Sequence, residues 1–475
     1  PALFFWVGSG TRADMIRSLL AAAALCAVLP TPALAQAVSQ EQLDERYDRA
    51  LAAGYKALFL CGAIAGAERN GATRSVESVE RWELSGIQAP LDSLVAEMRA
   101  RPIRIQSVSS DGAPARGALA AFAVEWAEGF APRFAVNTGA DGCRLAPIGM
   151  DVGTALDIGE PELHDPDRAL TAQPTAGDEL AETGMEARYG QGTRTTAVVV
   201  MRNGSPVSEA YAQDFGPLIP QRTWSVAKSL AATIIGAAVE RGEADVQAEA
   251  GLGLSANDPR ARITVDQLLR MASGRYSDTP GNRTDPLYFG GATVKESALA
   301  WPLLDRPGTV YRYANNDTLA AVRAIEPTFA DHSPTDLFAR IGMEHTVAET
   351  DWVGDYIFSS QVWSTARDLA KFGQLYLDGG VLPDGTRILP EGWVDYVSAP
   401  SGPQPDGPFG YGAGFWLMNR SEGVPADTFA AFGNRGQYVV IVPSQNVVIV
   451  RRGEDPVGAR FDIAAFTRDV LAALD

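Results

Sequence analysis

Apolar and polar positions divide the chain into stretches of different texture. Leu19 to Leu29 is an unbroken apolar run, introduced by Met15-Ile16-Arg17 and closed by Pro30-Thr31-Pro32 before Ala33-Leu34-Ala35. A basic start, a short apolar centre and a small-residue end predict a secretory signal over 15–35, cut after Ala35. The run is too short to cross a bilayer, whose hydrocarbon core needs about 20 apolar residues in a helix, so no stable membrane anchor is expected after cleavage. Residues 1–14 precede Met15 and read as an over-extended start. From 36 to 150 the pattern is mixed and predicts a small N-terminal domain, with a helix over Gln40 to Ala65 and short alternating segments such as Arg104 to Ser107 and Ala120 to Trp126. Residues 151–183, rich in Pro, Asp, Gly and Thr, have linker composition.

The texture changes again over 184–475. Thr195 to Met201 is β-branched and apolar, Asn203-Gly204 is a two-residue hairpin signal, and Pro206 to Ala212 returns as the partner strand. Val226, Leu230, Ile234 and Ala238 then recur on one helical face until Arg241-Gly242. Further helices are predicted over Thr264 to Met271, Ser364 to Leu377 and Phe461 to Leu474. Two more strands, Tyr438 to Val442 and Val447 to Val450, flank a turn at Pro443 to Asn446. Strands at both ends with helices between them predict an α/β domain whose sheet is built from its two termini and carries a helical insertion.

Composition narrows the function. A length of 475 residues points to two or three domains, and a formal charge of −18 spread along the chain repels phosphate backbones and anionic lipid, so nucleic acid is excluded as an expected partner. Cys26 leaves with the signal. Cys61 and Cys143 remain, either bridged or as two buried thiols, and an oxidising destination, periplasmic or secreted, favours the disulfide. Neither lies in a CxxC or near clustered histidines, so no metal or cofactor is implied.

Ser225 and Lys228 are spaced i, i+3 at the start of the helix that opens with Val226, which puts hydroxyl and amine on one face. A serine hydroxyl needs an adjacent base at neutral pH, and a desolvated lysine can serve. The helix N-terminus adds free backbone N–H groups where an oxyanion would form. A capping serine beside a surface lysine has the same spacing. The chain, however, has only four lysines against 36 arginines, and arginine cannot be deprotonated. The three histidines, His164, His332 and His345, stand in no catalytic motif. Downstream, Tyr313 in Tyr311-Arg312-Tyr313-Ala314-Asn315 is a candidate proton relay if cationic neighbours depress its pKa, and Asn315 a candidate contact for a substrate amide. Gly433-Asn434-Arg435-Gly436-Gln437 precedes a strand; there the Gln437 N–H is a candidate oxyanion donor, and Arg435 with Gly436 a candidate site for a substrate carboxylate.

Ser225-Val226-Ala227-Lys228, then Tyr313-Ala314-Asn315, then a glycine-rich strand entry closely resemble the three ordered motifs of the penicillin-recognising serine hydrolases. Ile263-Thr264-Val265-Asp266-Gln267-Leu268-Leu269 and Ser364-Thr365-Ala366-Arg367-Asp368-Leu369 match as well. The resemblance covers roughly 195–475 and is nearest the class C-like branch, which includes esterases and 6-aminohexanoate-dimer hydrolases. It implies a β-lactamase/transpeptidase-like fold, an antiparallel sheet flanked by helices, with Ser225 as nucleophile, Lys228 as its base, Tyr313 as general acid/base and Asn315 on the substrate. The family's third motif is usually Lys-Thr-Gly or His-x-Gly; Asn434-Arg435-Gly436 departs from it. The expectation is an exported acyl-enzyme hydrolase of small esters or amides. The alternative is a slow-turnover or non-catalytic penicillin-binding or sensor protein of the same fold.

Overall fold

The computed structural model describes residues 37–105, 107–108, 114–115, 117–152, 179–276 and 284–474. The expected signal and most of the expected linker fall outside them. The described residues from Arg46 onward form one compact unit.

Helix α1 spans Gln40–Arg69 and is buried almost continuously from Ala50 to Ala65. By length and composition it could cross a membrane, but 89% of its apolar window is buried inside the protein, which makes it a core helix. Beyond it, strands β1 (Ala100–Arg104), β2 (Leu119–Val124), β3 (Arg133–Asn137) and β4 (Cys143–Leu145) form an antiparallel sheet in that order. Cys61 on α1 is bonded to Cys143 at the head of β4, with Cα atoms 6.1 Å apart. Closing a loop with a sequence separation of 82 stabilises the fold by about 4 kcal/mol in the chain-entropy account.

The larger sheet begins with β5 (Thr195–Arg202) and β6 (Ser205–Tyr211), joined through Asn203 and Gly204 at φ 53° and 75°, the left-handed pair that a tight hairpin requires. The chain then passes through β7 (Gln221–Arg222) into helix α2 (Val226–Glu240) and, in the insertion, helix α3 (Asn315–Ile325). Strands β8 (Val347–Ala348) and β9 (Val362–Ser364) complete a small sheet in the order β8-β9-β7. Helix α4 (Ala366–Leu377) follows, capped by the Thr365 hydroxyl on the Asp368 amide. The chain closes with β10 (Gly410–Tyr411), β11 (Trp416–Leu417), β12 (Phe429–Gly433), β13 (Gln437–Val442), β14 (Val447–Gly453) and helix α5 (Ile463–Leu474). Among the described residues the sheet order is β10-β11-β12-β13-β14-β5-β6, antiparallel throughout, so β14 lies beside β5 and the sheet joins the two ends of this region.

Both faces of that sheet are covered, which is why its strands read as apolar runs. Val199, Val439, Ile441, Val448 and Val450 enter the core shared with α2 and α4. Val198, Val200, Val440, Val442 and Ile449 face Phe466 and Val470 of α5. A third core surrounds α1 and draws in Trp224, Phe289 and Trp363, so the strand leading to Ser225 is backed by the N-terminal helix. Gly62 makes that approach possible, since a Cβ there would lie 2.4 Å from the Trp363 ring.

Candidate active site

The turn before α2 carries backbone strain. Trp224 sits at φ 50°, an uncommon conformation for a large residue, and is held by burial, by Phe59 at 5.8 Å between ring centroids, and by the Arg222 guanidinium 4.4 Å from its ring. Ser225 follows as the N-cap of α2, yet its hydroxyl makes no capping bond. The side chain is instead partly accessible and engaged by Lys228.

Lys228 is buried, one helical turn on. Its Nζ lies 2.9 Å from Ser225 Oγ, 2.7 Å from Asn315 Oδ1 and 2.8 Å from the Ser359 carbonyl. Asn315 is the first residue of α3, and its Nδ2 donates to Thr284 Oγ1 at 3.0 Å, which turns the amide oxygen toward the lysine. That end of α3 is pinned by Arg275, whose Nη2 donates to the Asn316 carbonyl at 2.8 Å and pairs with Asp317 at 3.0 Å; Ser273 donates to the same carboxylate. The Ser359 side chain is fixed by Tyr288 at 2.6 Å. A protonated amine can donate to all three partners. A neutral one has two N–H groups and a lone pair, and of these three partners only Ser225 can donate to it. The arrangement thus accommodates a proton moving between Oγ and Nζ.

Tyr313 completes the cluster. Its hydroxyl is hydrogen-bonded with Ser225, its ring centroid lies 5.0 Å from Lys228 Nζ, and it packs against Trp416 at 5.4 Å and Tyr411 at 6.1 Å. Cationic neighbours do not depress its pKa: burial pushes the phenol above its ordinary value, and the Ser225 contact only partly opposes this. Tyr313 is therefore a protonated phenol at neutral pH.

Gly433–Gln437, which departs from the family's third motif in sequence, lies beside Ser225. Gly433 ends β12 against the turn before α2; a Cβ there would lie 2.4 Å from the Thr223 carbonyl and 3.2 Å from the Ser225 amide. Gln437 pairs opposite Gly433, with its side chain buried between the Gly453 carbonyl and Arg452. Gly436 is buried and its carbonyl accepts from Arg451 Nη1 at 2.9 Å. Arg435, the sequence candidate for a carboxylate contact, has its guanidinium buried on Glu454 at 2.6 Å and on the carbonyls of Trp82 and Ser85, both at 2.9 Å.

Thr284, Ser359, Tyr411 and Trp416 carry no motif and escape sequence reasoning. Trp224 and Trp363 belong to the α1 core. Of the histidines, His332 meets Glu243 and His345 donates its amide to Asp368, neither at Ser225; His164 lies outside the described residues.

A family model described as beta-lactamase matches residues 178–473. The 6-aminohexanoate-dimer hydrolase of Paenarthrobacter ureafaciens is 27% identical over 293 residues, 56% of this chain and 74% of that protein. A solved structure from Bacillus anthracis, named as a 6-aminohexanoate-dimer hydrolase, is similar with a TM-score of 0.51 and 24% identity, covering 59% of this chain and 78% of that one.

Proposed function

The chain belongs to the β-lactamase family and is a hydrolase of that fold, and on that footing we propose that it is a serine hydrolase that forms an acyl-enzyme on Ser225 from small esters or amides. One observation carries the proposal: the buried Lys228 amine lies between two partners that can only accept, the Asn315 amide oxygen and the Ser359 carbonyl, and one hydroxyl, that of Ser225. Neutral Lys228 takes the Oγ proton as Oγ bonds to the acyl carbon. The carbonyl oxygen becomes an oxyanion at the N-terminus of α2, against the Ser225 amide, with the Gln437 N–H as the proposed second donor. Tyr313, kept protonated by burial, donates to the departing alcohol or amine and is reprotonated from Lys228. Water then attacks the acyl carbon, giving a proton to the same network, which returns it to Ser225 Oγ as that oxygen departs and the acid is released.

Substrates resembling those in the name of the 6-aminohexanoate-dimer hydrolase relative, linear amides, belong in the first screen. Export to an oxidising compartment is part of the proposal, supported by the Cys61–Cys143 bridge and the signal pattern over 15–35. The test is mass spectrometry after treatment with a fluorophosphonate probe. The peptide carrying Ser225 is expected to gain the phosphonyl mass; an unmodified Ser225 in a folded sample would overturn the proposal.

A further inference from the structure

We propose that Arg435 is a positioning residue that holds the turn facing the nucleophile, and that a carboxylate beside the scissile bond consequently gains nothing at this site. The inference rests on the acyl-enzyme mechanism proposed above. The Arg435 cation is built into the protein rather than left free.

Arg435 occupies the left-handed region, φ 56° and ψ 27°, which a residue other than glycine rarely holds without compensation. The compensation is specific. Asn434 Oδ1 accepts from the Arg435 amide at 2.9 Å, and the Arg435 carbonyl accepts from the Asp455 amide at 3.1 Å. The Arg435 side chain is 4% exposed and its Glu454 partner 0%, and Nη1, the guanidinium nitrogen outside these bonds, is buried as well. Charge and countercharge cancel within one buried pair, leaving little field for a substrate anion.

The far end of the guanidinium reaches the N-terminal region. Arg194 Nη2 donates to the same two carbonyls, Trp82 at 2.8 Å and Ser85 at 3.0 Å, so two arginines converge on one turn. The 82–85 turn therefore completes the third motif from outside the family match. Because Asn434–Gly436 directly joins Gly433 to Gln437, any shift of Arg435 moves the wall packed against the Ser225 amide. Such a shift would alter the reacting geometry more than the binding of substrate.

The experiment compares wild type, Arg435→Gln, Arg435→Lys and Glu454→Gln on a neutral p-nitrophenyl ester and its counterpart bearing a carboxylate beside the scissile bond. The rate of Ser225 phosphonylation and a thermal melt are measured in parallel. Wild type is expected to favour the neutral ester, and Arg435→Gln to lower kcat and the phosphonylation rate about tenfold or more, with KM within about threefold for both substrates. Arg435→Lys, which keeps charge but loses the planar fork, restores the rate only in part. Glu454→Gln, which keeps the carbonyl contacts, gives the same kcat-against-KM split and serves if Arg435→Gln does not fold. A KM that rises only for the carboxylate-bearing ester, or a wild-type preference for that ester, would overturn the inference. A wild-type enzyme unlabelled at Ser225 is a different result and sinks the acyl-enzyme mechanism itself.

Discussion

Lys228 can be tested by separating its charge from its proton. Lys228→Met removes both, whereas Lys228→Arg keeps a cation and its donors but cannot deprotonate. The amine supplies bonds of 2.7 Å to Asn315 and 2.8 Å to the Ser359 carbonyl, and methionine withdraws both donors from a buried site. At about 1–3 kcal/mol for each bond lost, the stability cost is about 2–6 kcal/mol against a total of order 5–15 kcal/mol, so the melting temperature falls and the fold control is required for this variant. Arginine replaces those donors and costs about 1–3 kcal/mol through overpacking. On the rate, loss of a general base costs about 10²–10⁴-fold, and we expect kcat/KM for p-nitrophenyl acetate to fall about 10³-fold in both variants, about 4 kcal/mol of barrier. The assay is steady-state hydrolysis with circular-dichroism melts as the fold control. A Lys228→Arg enzyme retaining a tenth or more of wild-type kcat/KM would refute the reasoning, because charge without a removable proton would then suffice.

Tyr313→Phe keeps the ring contacts with Trp416 and Tyr411 but removes the hydroxyl, so kcat should fall about 10²-fold with little change in melting temperature. Since burial raises the phenol above its ordinary value, the wild-type profile should show no limb from tyrosine ionisation between pH 7 and 10; a limb there that disappears in Tyr313→Phe contradicts the assignment. Glu349 is buried and its carboxyl is pushed up to about 8 by desolvation, against the ordinary 4.5. Between those values the folded protein keeps a proton that the unfolded chain releases, so stability falls as pH rises through this window. Glu349→Gln keeps an acceptor for the Cys143 amide and should raise the melting temperature at pH 8, by about 2–4 kcal/mol in stability, while leaving pH 5 nearly unchanged; equal shifts at both pH values would speak against it. Reduction, or Cys143→Ala, should cost about 2–4 kcal/mol, and a non-reducing digest should yield a linked peptide pair containing Cys61 and Cys143; two free thiols would contradict the bridge.

The elements legible in the sequence are those specified by a few neighbouring residues. Asn203-Gly204 located the hairpin because only certain residues accept two successive left-handed conformations. The period of Val226, Leu230 and Ile234 located α2, and the amphipathic pattern over Ser364 to Leu377 located α4, because side-chain direction is a local property. Ser225 and Lys228 stood out for the same reason, one turn apart on one helix.

Burial and partnership were not legible in this way. The carbonyl that faces the amine belongs to Ser359, 131 residues from Lys228, and a carbonyl has no sequence signature because every residue carries one. In the sequence Tyr313 was a candidate relay on the condition that cations lowered its phenol; desolvation, known only once the cleft is assembled, moves it the other way. Arg435 stood beside a glycine turn as a candidate anchor, and only folding brought Glu454 and the 82–85 turn around it. The chain alone therefore determined α1, α2, α4 and α5, the strand pairs β5–β6 and β13–β14, and the serine–lysine pair, through periodicities and turn preferences acting over a few residues. The tertiary structure decided which groups are dry, which charges cancel and which proton can move, because solvation and hydrogen bonding depend on the neighbours that packing supplies from distant parts of the chain.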